Sequence, residues 1–156
     1  MPTEIERKFL LKNSSWKKLA DEGTQYSQGY IVGSKHASVR VRIQGKRAYL
    51  NIKSATIDIV RQEFEYEIPF DEATEILETL CEKPLIDKVR YLIKHENHVW
   101  EIDVFSGDND GLIVAEIELK NKDEKFIKPD WLGEEVSDDK RYYNVCLVKH
   151  PFKDWN

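Results

Sequence analysis

Charged and apolar side chains alternate with period two along most of this chain, and the charged positions on any one stretch are nearly pure in type. Segments 4–12, 37–43, 47–54, 60–68, 87–95, 98–105 and 112–120 all carry the pattern, and a further strand is expected near 26–32. Successive side chains on a strand point to opposite faces, so this period predicts strands with one apolar and one charged face. Gln44-Gly45-Lys46 and Glu96-Asn97 read as hairpin turns, which pairs neighbouring strands antiparallel. Helical spacing interrupts the pattern. Residues 71–83 put Ile76, Leu77, Leu80 and Cys81 on one face, with Asp71 as N-cap and Pro84 beyond the end. Shorter helices are expected over 15–22, with Trp16 and Leu19 on one side and Gly23 as a stop, over 122–127, and over 138–149 behind Ser137 or Asp138. Strands far outnumber helices, so the class is α+β with a large antiparallel sheet. At 156 residues, with no repeat, low-complexity tract or Gly/Ser linker, the chain reads as a single domain over 1–156.

Taking every second residue shows what each strand face presents. One face carries Glu4, Glu6 and Lys8; others carry Arg40 and Arg42, Asn51 and Lys53, and Arg61, Glu63, Glu65 and Glu67. Later strands add Lys88 and Arg90, Glu101 and Asp103, then Glu116, Glu118 and Lys120. The opposite faces hold residues such as Val39, Val41, Leu50, Ile52, Phe64, Tyr66, Tyr91, Ile93, Ile102 and Ile117, which need cover that the helices supply in part. A solvated sheet face is the ordinary reading of such a pattern. Two features weigh against it. Solvated strands draw on Thr, Ser, Gln and Lys, whereas these faces are almost pure carboxylate or pure cation. Like charges at i and i+2 also lie about 7 Å apart and repel unless an opposite charge sits between them.

A sheet that curls shut with these faces inward sets the Glu clusters against the Arg and Lys clusters across a lumen. A barrel of about eight strands leaves room there for side chains or one small ligand. Carboxylate clusters take hard cations such as Mg²⁺ or Mn²⁺, and Arg and Lys take phosphate oxygens, so a metal–polyphosphate complex satisfies both sets. A unit-charge pair at 4 Å is worth about 4 kcal/mol at an effective dielectric near 20, so an ion-free lumen of this kind is costly or strongly shifted in pKa.

Other functions are excluded by what the chain lacks. With 24 Lys and Arg against 29 Asp and Glu, a net charge of −5 argues against a general phosphate-backbone binder, and no nucleic-acid partner is expected. The first residues lack the apolar stretch of a secretory signal and no later run approaches a membrane span, so a cytoplasmic protein without a membrane partner is expected. Cys81 and Cys146 read as buried thiols, and His36, His95, His98 and His150 as surface or loop residues without ligand spacing. Tyr30, Tyr91, Trp100 and Phe105 read as core or rim aromatics, Arg61 as the ion-pair partner of a glutamate on its own face, and Glu67 and Glu101 as solvated strand ends. Lys140 and Arg141 fit either closure over a tunnel mouth or a solvated helix face, and Lys120 is undecided.

Glu4-Ile5-Glu6-Arg7-Lys8 resembles the ExExK signature of the triphosphate tunnel metalloenzymes, the CYTH family. The resemblance continues in order through Gln28-Gly29-Tyr30, Arg40-x-Arg42, Lys53, Arg61-x-Glu63-x-Glu65, Lys88-x-Arg90, Asp103, Glu116-x-Glu118 and Asp138-x-Lys140-Arg141-Tyr142. It spans nearly the whole chain and is most similar to the short bacterial members that act on inorganic triphosphate. The resemblance implies a closed eight-stranded antiparallel tunnel with a charged interior and a few flanking helices. It also implies divalent-metal-dependent hydrolysis of inorganic triphosphate to pyrophosphate and phosphate. By position, Lys8, Arg40, Arg42 and Lys53 look like triphosphate ligands, with Arg90 binding phosphate nearby. Glu4, Glu6, Glu63, Glu65, Glu116 and Glu118 look like the carboxylates for Mg²⁺ or Mn²⁺. Lys8 and Lys88 are the catalytic candidates, Lys88 matching a lysine that positions or activates water, and Asp103 is a weaker candidate for metal or water contact. Asn51 stands where related sequences often carry a hydroxyl or larger residue. Adenylate cyclase, thiamine-triphosphatase or nucleoside triphosphatase activity, and a polyphosphate-binding module without turnover, are the alternatives. Little in a chain this short would recognise a base or a thiazole, and anion binding alone would not need the carboxylates. The partner expected is inorganic triphosphate or another triphosphate-bearing small molecule, and a homodimer is left open.

Overall fold

The structure, a computed structural model, describes residues 3–55 and 58–155. Nine strands run in chain order as β1 (Thr3–Leu11), β2 (Thr24–Gly33), β3 (Ala37–Gln44), β4 (Arg47–Ser54), β5 (Val60–Ile68), β6 (Ile86–His95), β7 (His98–Phe105), β8 (Ile113–Glu118) and β9 (Leu132–Glu135). They form one antiparallel sheet in the order β5-β4-β3-β2-β6-β7-β8-β1-β9, closed by a pairing of β5 with β1. One edge of β1 takes β8 over Glu6–Phe9. Its other edge takes β5 at Thr3–Ile5 and then β9 at Phe9 and Leu11. The expected closed eight-stranded barrel is therefore present, with β9 laid on β1 beyond the point where β5 leaves. Four residues are too few for a period-two pattern to register, so β9 had no signal in the sequence. Two hydrogen bonds prolong its hold on β1: Val136 N donates to Lys8 O (2.8 Å), and Lys8 N donates to Ser137 Oγ (2.9 Å).

Both predicted hairpin turns are tight two-residue connections, each opening on a positive φ, +61° at Gly45 and +55° at Glu96. The helices depart further from expectation. The first, α1, is Phe70–Thr79, and its N-cap is Pro69 in place of Asp71. Proline fixes the entry dihedral, and Asp71 and Glu72 fall in the first turn, where carboxylates complement the helix dipole. Ala73 and Leu77 are its buried residues at i, i+4 spacing and Cys81, beyond its end, packs in the same cluster, while Leu80, expected on that face, is 63% exposed. Over 15–22 there is only a 3-10 turn, Ser15–Lys18, which buries Trp16 and leaves Leu19 out. Residues 122–127 are not helical: Asn121 closes a single turn by accepting from Glu124 N through its carbonyl and from Asp123 N through its side chain. The expected helix over 138–149 is split into a 3-10 turn, Lys140–Tyr142, and α2, Asn144–Lys149, because Tyr143 between them is extended. Among the described residues no helix is long and apolar enough to cross a membrane.

The barrel is inverted relative to an ordinary one, with its main apolar core outside the wall. Phe9, Ile93, Trp100, Ile102, Ala115 and Ile117 on the outer faces of β1, β6, β7 and β8 pack under Trp16, Trp131 and Leu132. Trp100 is fully buried and meets Phe9, Phe126 and Trp131 edge-on at 5.6–5.7 Å between ring centroids. On the opposite side α1 covers Val41 and Ala48. The lumen itself turns apolar at one end, where Tyr30, Ile86, Phe105 and Val114 pack against Leu147 and Val148 of α2. The C-terminal segment thus plugs one mouth and leaves a cup. His95 and His98, expected at the surface or in loops, face each other in register as the last and first residues of β6 and β7, both half-buried. His98 Nε2 meets Glu124 Oε2 at 2.5 Å. Cys81 and Cys146 are both free thiols.

Candidate active site

All twelve predicted site residues line one cavity of about 280 Å³ inside the cup: Glu4, Glu6, Lys8, Arg40, Arg42, Lys53, Glu63, Glu65, Lys88, Arg90, Glu116 and Glu118. Strand pleating brings them together, since each comes from an inward position on β1, β3, β4, β5, β6 or β8. Arg61 and Glu101 also line the wall, so seven carboxylates face seven cations. The lumen is balanced in a chain whose net charge is −5, which leaves the acidic excess elsewhere on the molecule.

The charges are arranged as lysines held between carboxylates. Lys8 Nζ lies 3.2 Å from both Glu6 Oε1 and Glu116 Oε1. Lys53 Nζ lies 2.9 Å from Glu4 Oε2 and 3.0 Å from Glu63 Oε2. Burial works to lower the Lys8 pKa, but Glu116 and Glu6 outweigh it and hold the ammonium above its ordinary range. Arg42 pairs with Glu65 and lies 4.8 Å from the Tyr49 ring. Arg40, 9% exposed, has no ion pair among the described residues, and its Nε has no hydrogen-bond partner.

Asp103 does not line the cavity. It lies on the inward face of β7, directly opposite Arg90, but is fully buried beneath Arg90 and Lys88, and its carboxylate is spent on those two cations. Arg90 donates to it through Nε (2.7 Å) and Nη2 (2.9 Å), and Lys88 through Nζ (2.7 Å). Such a bidentate pairing fixes the guanidinium plane, which leaves Arg90 Nη1 to reach Glu101 Oε2 at 2.8 Å. Burial would raise the Asp103 pKa, yet Arg90 and Lys88 hold it below the usual carboxylate range. The same burial depresses Lys88 to about 8, against the pull of Asp103.

This wall of paired cations and carboxylates belongs to a known class of barrel, and the CYTH domain family model matches residues 2–146. The chain belongs to the CYTH family. It is 50% identical over 155 residues to the inorganic triphosphatase of Acetivibrio thermocellus, covering 99% of each chain. It is 36% identical over 150 residues to the inorganic triphosphatase of Nitrosomonas europaea, covering 94% of this chain and 97% of the other. Among solved structures, that of an inorganic triphosphatase superposes with a TM-score of 0.66 at 34% identity over 95% of both chains.

Several residues of this CYTH lumen stand differently from expectation. Arg61 makes no ion pair among the described residues, and its guanidinium lies 5.3 Å from the Tyr143 ring. Glu101 is not a solvated strand end: it faces the lumen beside Arg90, and burial pushes its pKa up to about 7 although Arg90 opposes the rise. Glu67 is exposed and pairs with Arg47, as a solvated residue should. Lys140 and Arg141 do not line the cup; Arg141 pairs with Asp139 and stacks over Trp155 at 4.8 Å. Tyr143, Asn144 and Val145 enter the lumen in their place, and Asn144 Oδ1 lies 3.4 Å from Lys88 Nζ. They sit where α2 begins, outside any alternating strand, so no period marked them. Tyr26, Gln28 and Tyr30 on β2 also line the lumen; Gln28 and Tyr30 stood in the motif order without an assigned role and Tyr30 was read as a core or rim aromatic, because their polar side chains lack the charge that marked the others. Asn51 is fully buried with both amide atoms unpartnered.

Among the described residues no three carboxylate, histidine or cysteine groups converge closely enough to hold a metal ion alone. The donors nevertheless suit a hard cation. Glu4 Oε2 is buried and makes no hydrogen bond, its approach to Lys53 being off-angle. Glu118 is pushed above the usual carboxylate range by burial and by Glu4, Glu6 and Glu63 around it. Mg²⁺ in phosphate sites takes one or two carboxylates and completes its shell with water and substrate oxygens, so a ready-made cage is not required.

Proposed function

We propose that this CYTH protein hydrolyses inorganic triphosphate to pyrophosphate and phosphate with Mg²⁺ or Mn²⁺ as its divalent cation. One observation carries the reading: a cup of about 280 Å³ whose walls are matched sets of carboxylates and cations, both of which find counter-charges in a metal–triphosphate complex. The identity to two inorganic triphosphatases, which extends over almost all of each chain, supports the choice of reaction.

In this reading Arg40, Arg42, Lys53, Lys8 and Arg90 hold phosphate oxygens, the arginines in the bidentate manner that suits them. Glu4, Glu6, Glu63, Glu65, Glu116 and Glu118 are the carboxylates from which the metal would take its one or two protein ligands, and a bound cation would supply charge neutralisation and a more acidic water. Lys8 and Lys53 each bridge a pair of carboxylates. Arrival of substrate gives each ammonium a phosphate oxygen and frees its carboxylates. Lys88, anchored by Asp103 and Asn144, sits at the closed end of the cup and holds or takes a proton from the attacking water at Nζ. Phosphoryl transfer needs positioning and charge compensation more than covalent chemistry, which agrees with a lumen without a Ser/His or Cys/His nucleophile.

Purified protein given triphosphate, ATP or thiamine triphosphate, each with Mg²⁺, Mn²⁺ or EDTA, tests the reading, with products separated by chromatography. Pyrophosphate and phosphate from triphosphate, absent with EDTA, are the expected result. Lys8→Ala and Glu116→Ala abolish turnover while the circular dichroism spectrum stays that of the parent. Near-normal turnover in either variant, cyclic AMP from ATP, or no product from any substrate contradicts it.

A further inference from the structure

We infer that Arg61, a residue outside the expected ligand set, is a direct phosphate ligand that acts with Lys8 across the ring of Tyr143; the inference rests on the triphosphate reading of the lumen. Three features of the wall lead to it. Arg61 sits directly opposite Glu4 in the β1–β5 register. Opposite charges so placed ordinarily pair. Here Glu4 turns its carboxylate to Lys53 at 2.9 Å, and Arg61 reaches no carboxylate among the described residues. Among the lumen cations only Arg40 shares this condition, and Lys8, Arg42, Lys53, Lys88 and Arg90 all hold carboxylates.

Tyr143 lies against both cations. Its hydroxyl donates to Ser137 O at 2.8 Å, and it is 3% exposed, so the ring is fixed. The Lys8 ammonium lies 4.9 Å from that ring and the Arg61 guanidinium 5.3 Å from it. Two like charges meet at one aromatic platform, and Arg61 is among the groups that repel the Lys8 charge. The aromatic quadrupole offsets part of that repulsion, and an anion shared by the two cations would remove it. Because Lys8 already carries Glu6 and Glu116, the uncommitted charge beside it belongs to Arg61. A planar guanidinium with free donors facing a lumen suits two oxygens of one phosphoryl group.

The rival role is mechanical, in which Arg61 merely steadies the C-terminal plug through Tyr143. A double-mutant cycle separates the two. Arg61→Gln, Tyr143→Leu and the double variant are compared with the parent for triphosphate turnover with Mg²⁺, for calorimetric affinity towards the bis-methylene analogue of triphosphate with Mg²⁺, and for ligand-free thermal midpoint. Arg61→Gln is expected to raise KM and weaken analogue binding by about ten- to a hundredfold, the range of a charge-assisted bond, with the thermal midpoint unchanged. Arg61→Lys recovers part of the loss, and the Gln effect persists in the Tyr143→Leu background. An Arg61→Gln protein with parental KM and affinity overturns the inference, as does a loss that disappears once Tyr143 is replaced. Parent protein that neither binds the analogue nor cleaves triphosphate overturns the functional reading itself, before any variant is considered.

Discussion

Asp103 and Lys88 show how much a single buried position governs in this lumen. Asp103 is covered on the lumen side of β7 by Arg90 and Lys88, yet its two oxygens orient both of them, and breaking a buried pair of this kind leaves an uncompensated charge. Lys88 is the member whose protonation matters near neutral pH, since burial brings it from its ordinary 10.5 to about 8. Below that pH the folded protein keeps the ammonium, and above it the free amine can take the proton of the attacking water. kcat/KM measured at saturating metal therefore climbs as pH rises towards about 8 and levels off above it, as for a base in the free enzyme. Lys88→Arg, which stays charged, loses the climb while still binding the bis-methylene analogue of triphosphate. An unchanged pH profile in that variant would show that Lys88 is not the titrating group. At this scale alternation along strands was enough to find the charged wall, because the sign and spacing of charges carry that information. It gives the face of a residue and not its depth, which is why Glu101 read as a wet strand end and Arg61 as a paired one.

The elements that complete the site are the ones with the weakest sequence signal. Strands β1 and β3 to β8 were legible from period-two patterning and β2 was expected only as a further strand, but β9 is four residues long and α2 six, too short for any period to repeat. The C-terminal plug is nonetheless what turns the tunnel into a cup and carries Tyr143 and Asn144 to the cations. Its anchor is Leu147, fully buried against the apolar end of the lumen. Leu147→Ala is expected to cost about 2–5 kcal/mol in urea unfolding, the range for a large-to-small core change. Activity should fall with it under native conditions, through KM more than through kcat, because the plug residues that bear on Lys8 and Lys88 lose their footing. Full stability with parental KM would mean that the plug is not part of the site. Gly29 illustrates the reverse case, a motif residue whose reason lies outside the lumen. A Cβ there would come within 2.8 Å of Cys81 Cβ, so its place in Gln28-Gly29-Tyr30 follows from the close packing of the 81–85 loop on β2.

For the whole molecule the governing fact is the inversion of the barrel. A wall with charges inside and its main apolar core outside has to be wrapped, and α1, the 3-10 turn at Trp16 and the segment through Trp131 do the wrapping. In return the cup is lined by seven cations and seven carboxylates in one small space, with Asp103 buried beneath two of the cations. A bound polyanion would shift that balance strongly, and a divalent cation bound with it would offset two of its charges. The purpose of such a lumen was legible in the sequence because no ordinary solvated sheet uses charge so purely, whereas closure itself depended on the pairing of β1 with β5, which no local pattern reveals. Turnover of triphosphate in ¹⁸O-water with Mg²⁺, followed by ³¹P NMR, tests the chemistry of the lumen most directly. Metal-dependent attack of water on a terminal phosphorus puts ¹⁸O into orthophosphate alone, with one pyrophosphate formed per phosphate and no turnover in EDTA; label in pyrophosphate, or undiminished turnover in EDTA, would contradict it.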